Sequence, residues 1–324
     1  MILLNQTDYA YSSAYIRALE NKLLSNTDIE ALILAPDFGA ASRVLRDKGY
    51  SDMEITPENL DEVLKMNLEN ARAEAIWASP KDNALNIFLY KNDFHNLKAV
   101  LKSISSGNKN QERFLLTPTN VDSKQITEAV ANVDFSILPE YLKGAGERAF
   151  DILNRLNDGA LADSLIDKAC MDYMLKEAKK TKNEFLIGLV RIENTMSDLK
   201  IAERSAKMMK DRNFLESALS DESDIDKEGL ILASISNSVS EFLEKSGKKE
   251  LSVALSKGLH EFEKFADNSI NEYIKRAKLV TFGIEPVIAY IHTKQQEAGL
   301  IRVILSAKQN SISEEEIRAR LRNI

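Results

Sequence analysis

The stretch Leu186-Ile187-Gly188-Leu189-Val190-Arg191-Ile192-Glu193-Asn194-Thr195-Met196-Ser197-Asp198-Leu199 decides the fold class. Leu186, Leu189, Val190, Glu193, Met196 and Leu199 recur three or four residues apart, a spacing that lines one stripe of an α-helix and not one face of a strand. Upstream, Leu60, Val63, Leu64 and Leu68 repeat the pattern, and Tyr11, Tyr15, Ala18 and Leu23 predict the buried face of a first helix. Downstream, Val287, Ile288, Ile291, Ala298, Ile301, Ile304 and Leu305 form a wide apolar stripe. Only Phe114-Leu115-Leu116 could be a strand, and it is too short to build a sheet. The predicted class is all-α.

Composition agrees. Among 324 residues there are only 12 glycines and 6 prolines, the residues that turns and strand-rich folds consume. Pro36, Pro57, Pro80, Pro118 and Pro139 precede position 140 and only Pro286 follows it, which predicts long helices joined by short loops in the second half. The length exceeds what one hydrophobic core usually serves and predicts two or three domains. Hydrophobic residues at 44% and charged ones at 29% fit a globular chain.

A net charge of −7 speaks against a nucleic-acid partner, since phosphate binding needs a basic face. The lone Cys170 excludes an internal disulfide and fits a reducing compartment. Met1-Ile2-Leu3-Leu4-Asn5-Gln6 lacks the basic start and long apolar run of a signal peptide, and no run approaches the ~20 apolar residues that span a bilayer. A cytosolic chain is expected, or one resting on a membrane complex without entering the lipid.

Helix boundaries can be placed. Thr27-Asp28-Ile29-Glu30, Thr181-Lys182-Asn183-Glu184 and Ser313-Glu314-Glu315-Glu316 each match a capping box. Pro57 and Pro139 suit first helical positions, and Gly49 and Gly107 read as helix stops. A faint repeat runs through the chain. Asn96-Leu97-Lys98-Ala99-Val100-Leu101-Lys102-Ser103 aligns with Asp198 to Ser205, from 96 to 198 an offset of 102, and with Gly299 to Ser306, from 198 to 299 an offset of 101. Ile55 to Leu60 echoes Ile137 to Leu142 only 82 positions on, from 55 to 137, which requires an insertion of about twenty residues in the second copy. The resulting domains are helical repeats at 1–112, 113–214 and 215–324.

Motifs that carry chemistry are weak. Gly144-Ala145-Gly146-Glu147-Arg148-Ala149 spells the dinucleotide fingerprint, but no apolar strand precedes it, so a loop or hinge between helices is expected. Asp224-Ile225-Asp226-Lys227-Glu228-Gly229 imitates half a calcium loop, yet the twelfth position holds Ile235 where a bidentate glutamate is needed. Asp221 to Glu228 therefore reads as a solvated acidic connector capping a helix that starts near Leu230. His95, His260 and His292 have no metal spacing, Cys170 reads as a buried thiol, and no phosphate-binding loop occurs. The sequence assigns no catalytic, cofactor-binding or metal-ligating residue.

One segment is distinctive: Phe282-Gly283-Ile284-Glu285-Pro286-Val287-Ile288-Ala289-Tyr290-Ile291, then Lys294-Gln295-Gln296-Glu297, Ile301-Arg302-Val303-Ile304, Lys308-Gln309-Asn310 and Ile317-Arg318-Ala319-Arg320-Leu321. It closely resembles the end of the C subunits of V-type and A-type ATP synthases, a family related to the eukaryotic V-ATPase d subunit. Tyr15-Ile16-Arg17-Ala18-Leu19-Glu20 with Leu23-Leu24, and Asn92-Asp93-Phe94-His95-Asn96-Leu97-Lys98-Ala99-Val100-Leu101-Lys102, look like the same family. Gly299, where a larger polar residue is expected, and Asp198, where the repeat suggests asparagine, depart from the pattern.

The resemblance implies three related helical bundles around a funnel-shaped depression. It implies a non-catalytic rotor component that links the membrane rotor ring to the central shaft and transmits torque for proton or sodium transport. Ring and shaft subunits are the implied partners, with no nucleic acid, cofactor or membrane insertion. Lys294 and Glu297 read as a surface pair, and Arg302, which interrupts an apolar face, as the candidate for an interdomain ion pair. The alternative is a helical-repeat scaffold that binds peptide segments of partner proteins.

Overall fold

The computed structural model describes residues 6–80, 84–107 and 114–321, and among these the fold is all-α, without a strand. The first helices are α1 (Ala10–Glu20), α2 (Asn26–Leu34), α3 (Phe38–Asp47) and α4 (Leu60–Ala78). Next come α5 (Ile87–Ser105), α6 (Ser123–Ala131), α7 (Glu140–Leu156) and α8 (Gly159–Thr181). The long α9 (Glu184–Lys207) leads into the short α10 (Arg212–Ala218), α11 (Lys227–Ile235), α12 (Val239–Lys245) and α13 (Lys249–Ser256). Then follow α14 (Leu259–Lys275), α15 (Glu285–Gln309) and α16 (Glu314–Arg320).

Two compact units result. Met1–Asp82 and Asp267–Ile324 make one, and Asn83–Ala266 makes the other. In the first, α15 lays Ile301, Ile304 and Leu305 against Leu32, Leu45, Val63 and Leu64, and Ile317 of α16 closes the cluster. Each of these side chains is at most 3% exposed, and complete burial of an aliphatic side chain contributes roughly 1.5–3 kcal/mol.

Two clusters are described in the second unit. One joins Phe94, Leu97 and Val100 of α5 to Ile126, Leu142, Ala149 and Ile166. The other joins Leu199 and Ala202 of α9 to Leu215, Leu230, Leu243 and Phe262.

Local chemistry moves several expected boundaries. The capping box of α2 belongs to Ser25 and Asp28, not to Thr27 and Glu30. Asp28 accepts the Ser25 N–H at 2.9 Å and also pairs with Lys48 at 2.6 Å. The hydrogen bond from Lys48, with those from Ser25, holds the Asp28 carboxyl at about 2. At 181–184, Thr181 ends α8, Lys182 turns left-handed with φ 56°, and Asn183 caps α9 by accepting the Leu186 N–H at 2.8 Å. Ser313 caps α16 by accepting the Glu316 N–H at 3.4 Å, one half of the expected box. Pro139 is the N-cap of α7 and Pro57 lies three residues before α4, so neither is a first helical position. Gly49 and Gly107 do stop helices, at φ 70° and 69°.

The second half is not made only of long helices. Asn237, Gly247 and Gly258 adopt φ of 54°, 77° and 104°, each ending a helical run after seven to nine residues. On α1 the expected face is reversed: Ser12, Ser13, Ile16 and Leu19 are buried, whereas Tyr11 is 60% exposed. Tyr11 and Tyr15 form a surface aromatic group with Trp77, with ring centroids 5.7–6.3 Å apart.

Candidate functional site

Three long helices share one register. Helices α5, α9 and α15 end at residues 105, 207 and 309, steps of 102 from 105 to 207 and again from 207 to 309. Two residues past each end the backbone turns left-handed, at Gly107, Met209 and Ser311, with φ of 69°, 50° and 53°. This register places Leu300, not Gly299, opposite Asn96 and Asp198, one residue from the alignment expected from the sequence.

In the same register Asp93, Thr195 and Glu297 coincide, and each accepts a backbone N–H from a loop. Asp93 Oδ1 takes the N–H of Asn120 at 2.9 Å and of Val121 at 3.2 Å. Thr195 Oγ1 takes that of Asp224 at 3.1 Å, and Glu297 Oε1 takes that of Leu24 at 2.7 Å. Each held loop leads into a nine-residue helix, α6, α11 or α2, whose caps are Asp122, Asp226 and Ser25.

A second acceptor lies one turn further along two of the helices. Asn96 Oδ1 takes the Leu116 N–H at 2.8 Å while its Nδ2 donates to the Leu116 carbonyl at 3.0 Å. The amide thereby copies the pairing that a neighbouring strand would offer, and the segment around Leu116 joins no sheet. Asp198 Oδ1 takes the Ser220 N–H at 2.9 Å. Leu300, a further 102 residues on from Asp198, has no side-chain acceptor, and on α15 Glu297 makes the contact to the loop.

Burial sets the electrostatics. It pushes the Asp198 carboxyl up to about 7, against the opposing hydrogen bonds of Ser220 and Ser223. Burial likewise raises Asp93, although Tyr141 donates to its Oδ2 at 2.8 Å and Asn120 at 3.0 Å.

Lys294 and Glu297 are not the surface pair expected. Their side chains are 8% and 4% exposed and hydrogen-bonded to each other, with Lys294 Nζ also 4.8 Å from the Tyr50 ring centroid. The hydroxyl of that tyrosine is buried and has no hydrogen-bond partner among the described residues. Arg302 pairs with Asp61 at 2.7 Å, an exposed contact within one compact unit that links the segments 1–112 and 215–324 expected as separate repeats.

The other sequence candidates disperse. Gly144 to Ala149 lie inside α7, neither loop nor hinge. A Cβ on Gly146 would stand 2.7 Å from Phe135 Cδ1, so the bare glycine lets a ring approach. Asp226 accepts the Gly229 N–H at 3.0 Å and starts α11 at Lys227, three residues before Leu230. Asp221 of the same connector is gripped by Lys168 and Lys227. His95 contacts the Phe114 carbonyl and His292 the Asn271 side chain, at 2.9 and 2.8 Å. Burial lifts the Cys170 thiol to about 12, far from thiolate reactivity. The described residues contain no group of histidine, cysteine and carboxylate side chains able to hold a metal.

The buried acceptors were visible in the sequence only as polar interruptions of apolar stripes. Nothing local revealed their partners, which lie from 20 to 273 residues away.

Long helices whose buried polar groups fasten their own loops place the chain among all-α helical-bundle proteins. Within that class, the chain belongs to the ATP synthase (C/AC39) subunit family, whose pattern it matches over residues 12–320. It is similar to the C subunit of the V-type sodium ATPase of Enterococcus hirae, 18% identical across 98% of this chain and 99% of that one. It is also similar to the C subunit of the A-type ATP synthase of Methanocaldococcus jannaschii, 23% identical across 99% of this chain and 88% of the other. With the corresponding A-type ATP synthase protein of Haloferax volcanii it shares 24% identity over 72% of each chain.

Proposed function

We propose that this chain is a non-catalytic rotor component of a V/A-type ATPase, joining the membrane ring to the central shaft and passing torque between them. The family match from residue 12 to residue 320 carries the reading. The fastened loops support it, because a torque-bearing body must resist shear, and each latch ties a loop to the middle of a long helix. The chain sits peripherally on the cytoplasmic face in this proposal. No helix among the described residues is long and apolar enough to cross a membrane. The threefold division at 1–112, 113–214 and 215–324 is part of the same proposal, supported by the 102-residue recurrence of helix ends and latches.

Affinity purification of the tagged full chain from its native membranes tests the reading. Ring and shaft subunits are expected in stoichiometric amounts, and the isolated chain is expected to show no ATP turnover. Turnover by the isolated chain, or recovery without either partner, overturns it.

A further inference from the structure

On α3 and the segment after it, a cleft of about 320 Å³ is lined by Phe38, Ile55 and Pro57 together with Arg43 and Arg46. Several other arginines of the same unit are engaged: Arg17 with Glu20 at 2.8 Å, Arg302 with Asp61 at 2.7 Å and Arg318 with Glu30 at 2.7 Å. Lys48, at the end of the same helix, is held by Asp28 at 2.6 Å. Arg43 and Arg46 pair with no carboxylate among the described residues, although Glu54 lines the cleft beside them. Arg43 folds back over Gly39, its Nη1 lying 4.0 Å from where a Cβ on that residue would stand.

We infer that this cleft binds an acidic peptide segment of a partner protein, with carboxylates on Arg43 and Arg46 and an apolar side chain against Phe38 and Pro57. A guanidinium takes a carboxylate through two parallel hydrogen bonds, and two arginines one helical turn apart accept two acidic side chains. The apolar wall seats a side chain between them.

A phosphate ligand fits worse. The Ala40 N–H in the first turn of α3 is already given to Asp37 Oδ1 at 2.7 Å, which puts a carboxylate at the end of the helix where a phosphate would be held. Glu54 repels a compact polyanion more than it repels spaced single charges. The inference concerns one surface and does not depend on the rotor reading.

Fluorescence anisotropy on the full chain tests it, with a fluorescein-labelled hexapeptide of alternating glutamate and leucine as probe. Saturable binding that weakens with added sodium chloride is expected. R43A/R46A weakens it at least tenfold and E54Q strengthens it severalfold, while R155A, an exposed arginine on α7, changes nothing. In R43E/R46E a lysine–leucine hexapeptide replaces the acidic one as ligand, which also shows that the variant is folded. No saturable binding, equal loss in R155A, or displacement of the peptide by pyrophosphate at concentrations where free glutamate has no effect overturns the inference.

Discussion

Asp198 on α9 and Asn96 on α5, 102 positions apart from 96 to 198, do the same task with different chemistry, each accepting one backbone N–H from a following loop. The asparagine does so uncharged at every pH. The aspartate does so with a carboxyl whose pKa burial raises to about 7.

A pH dependence follows from that difference. Folded Asp198 keeps its proton up to about pH 7, whereas the unfolded chain releases it near the ordinary value of 3.8. Between those values the folded state binds more protons, so stability falls as pH rises, levelling above about 7. The full effect is at most about 4 kcal/mol, since each tenfold change in proton affinity is worth about 1.4 kcal/mol. Urea unfolding from pH 4 to 8 is expected to show this slope in the native chain and a flatter one in D198N, which keeps the acceptor and drops the charge. D198A should lose about 1–3 kcal/mol, because the buried Ser220 N–H is then unsatisfied.

The buried pair on α15 makes a second expectation. Removing Lys294 alone leaves the Glu297 carboxylate buried without its counter-charge, and K294M should cost about 3–5 kcal/mol. The double variant K294M/E297Q retains an acceptor for the Leu24 N–H and has no charge to strand, so it should be more stable than K294M. A double-mutant cycle by chemical denaturation reads the coupling, and a double variant no better than the single one would refute it.

Two glycines of α7 should respond in opposite ways. Gly144 has nothing within 4 Å of an added methyl, so G144A should gain up to about 1 kcal/mol from helix propensity. At Gly146 the same methyl meets Phe135 at 2.7 Å, and G146A should lose about 1–3 kcal/mol. Pairing G146A with F135L should recover part of the loss in thermal unfolding.

Met209 is 91% exposed and stands at φ 50°, the position that glycine fills after α5. M209G should therefore raise stability by about 0.5–1 kcal/mol, since a side chain in the left-handed region costs energy and this one packs on nothing. An unchanged unfolding midpoint would mean that the backbone is relaxed there.

The helical class was legible in the sequence because stripes such as Leu186 to Leu199 obey a purely local period. The buried face of α1 was misplaced for the opposite reason. Tyr11 and Trp77 are apolar but meet each other at the surface, while Ser12 and Ser13 are buried, Ser13 at the Gly283 carbonyl 270 residues away. Lys294 and Glu297 mislead in the same way. An i, i+3 charged pair looks alike in water and in a core, and only the packing of Tyr50 and the loop at Leu24 distinguishes the two. The capping residues differed by small shifts, since several hydroxyls and carboxylates compete for the same N–H groups and tertiary partners such as Lys48 choose among them.

The first unit is woven from two segments, 1–82 and 267–324, that flank the second in sequence, and this imposes an order on biosynthesis. Leu24 leaves the ribosome 273 residues ahead of Glu297, the side chain that will hold it. The middle unit, continuous from residue 83 to residue 266, has all its partners in hand while α1 to α4 still wait for α15. Truncation inside α15 therefore strips α2 to α4 of their core, and a nascent chain stalled there should expose Leu32, Leu45 and Val63 to chaperones.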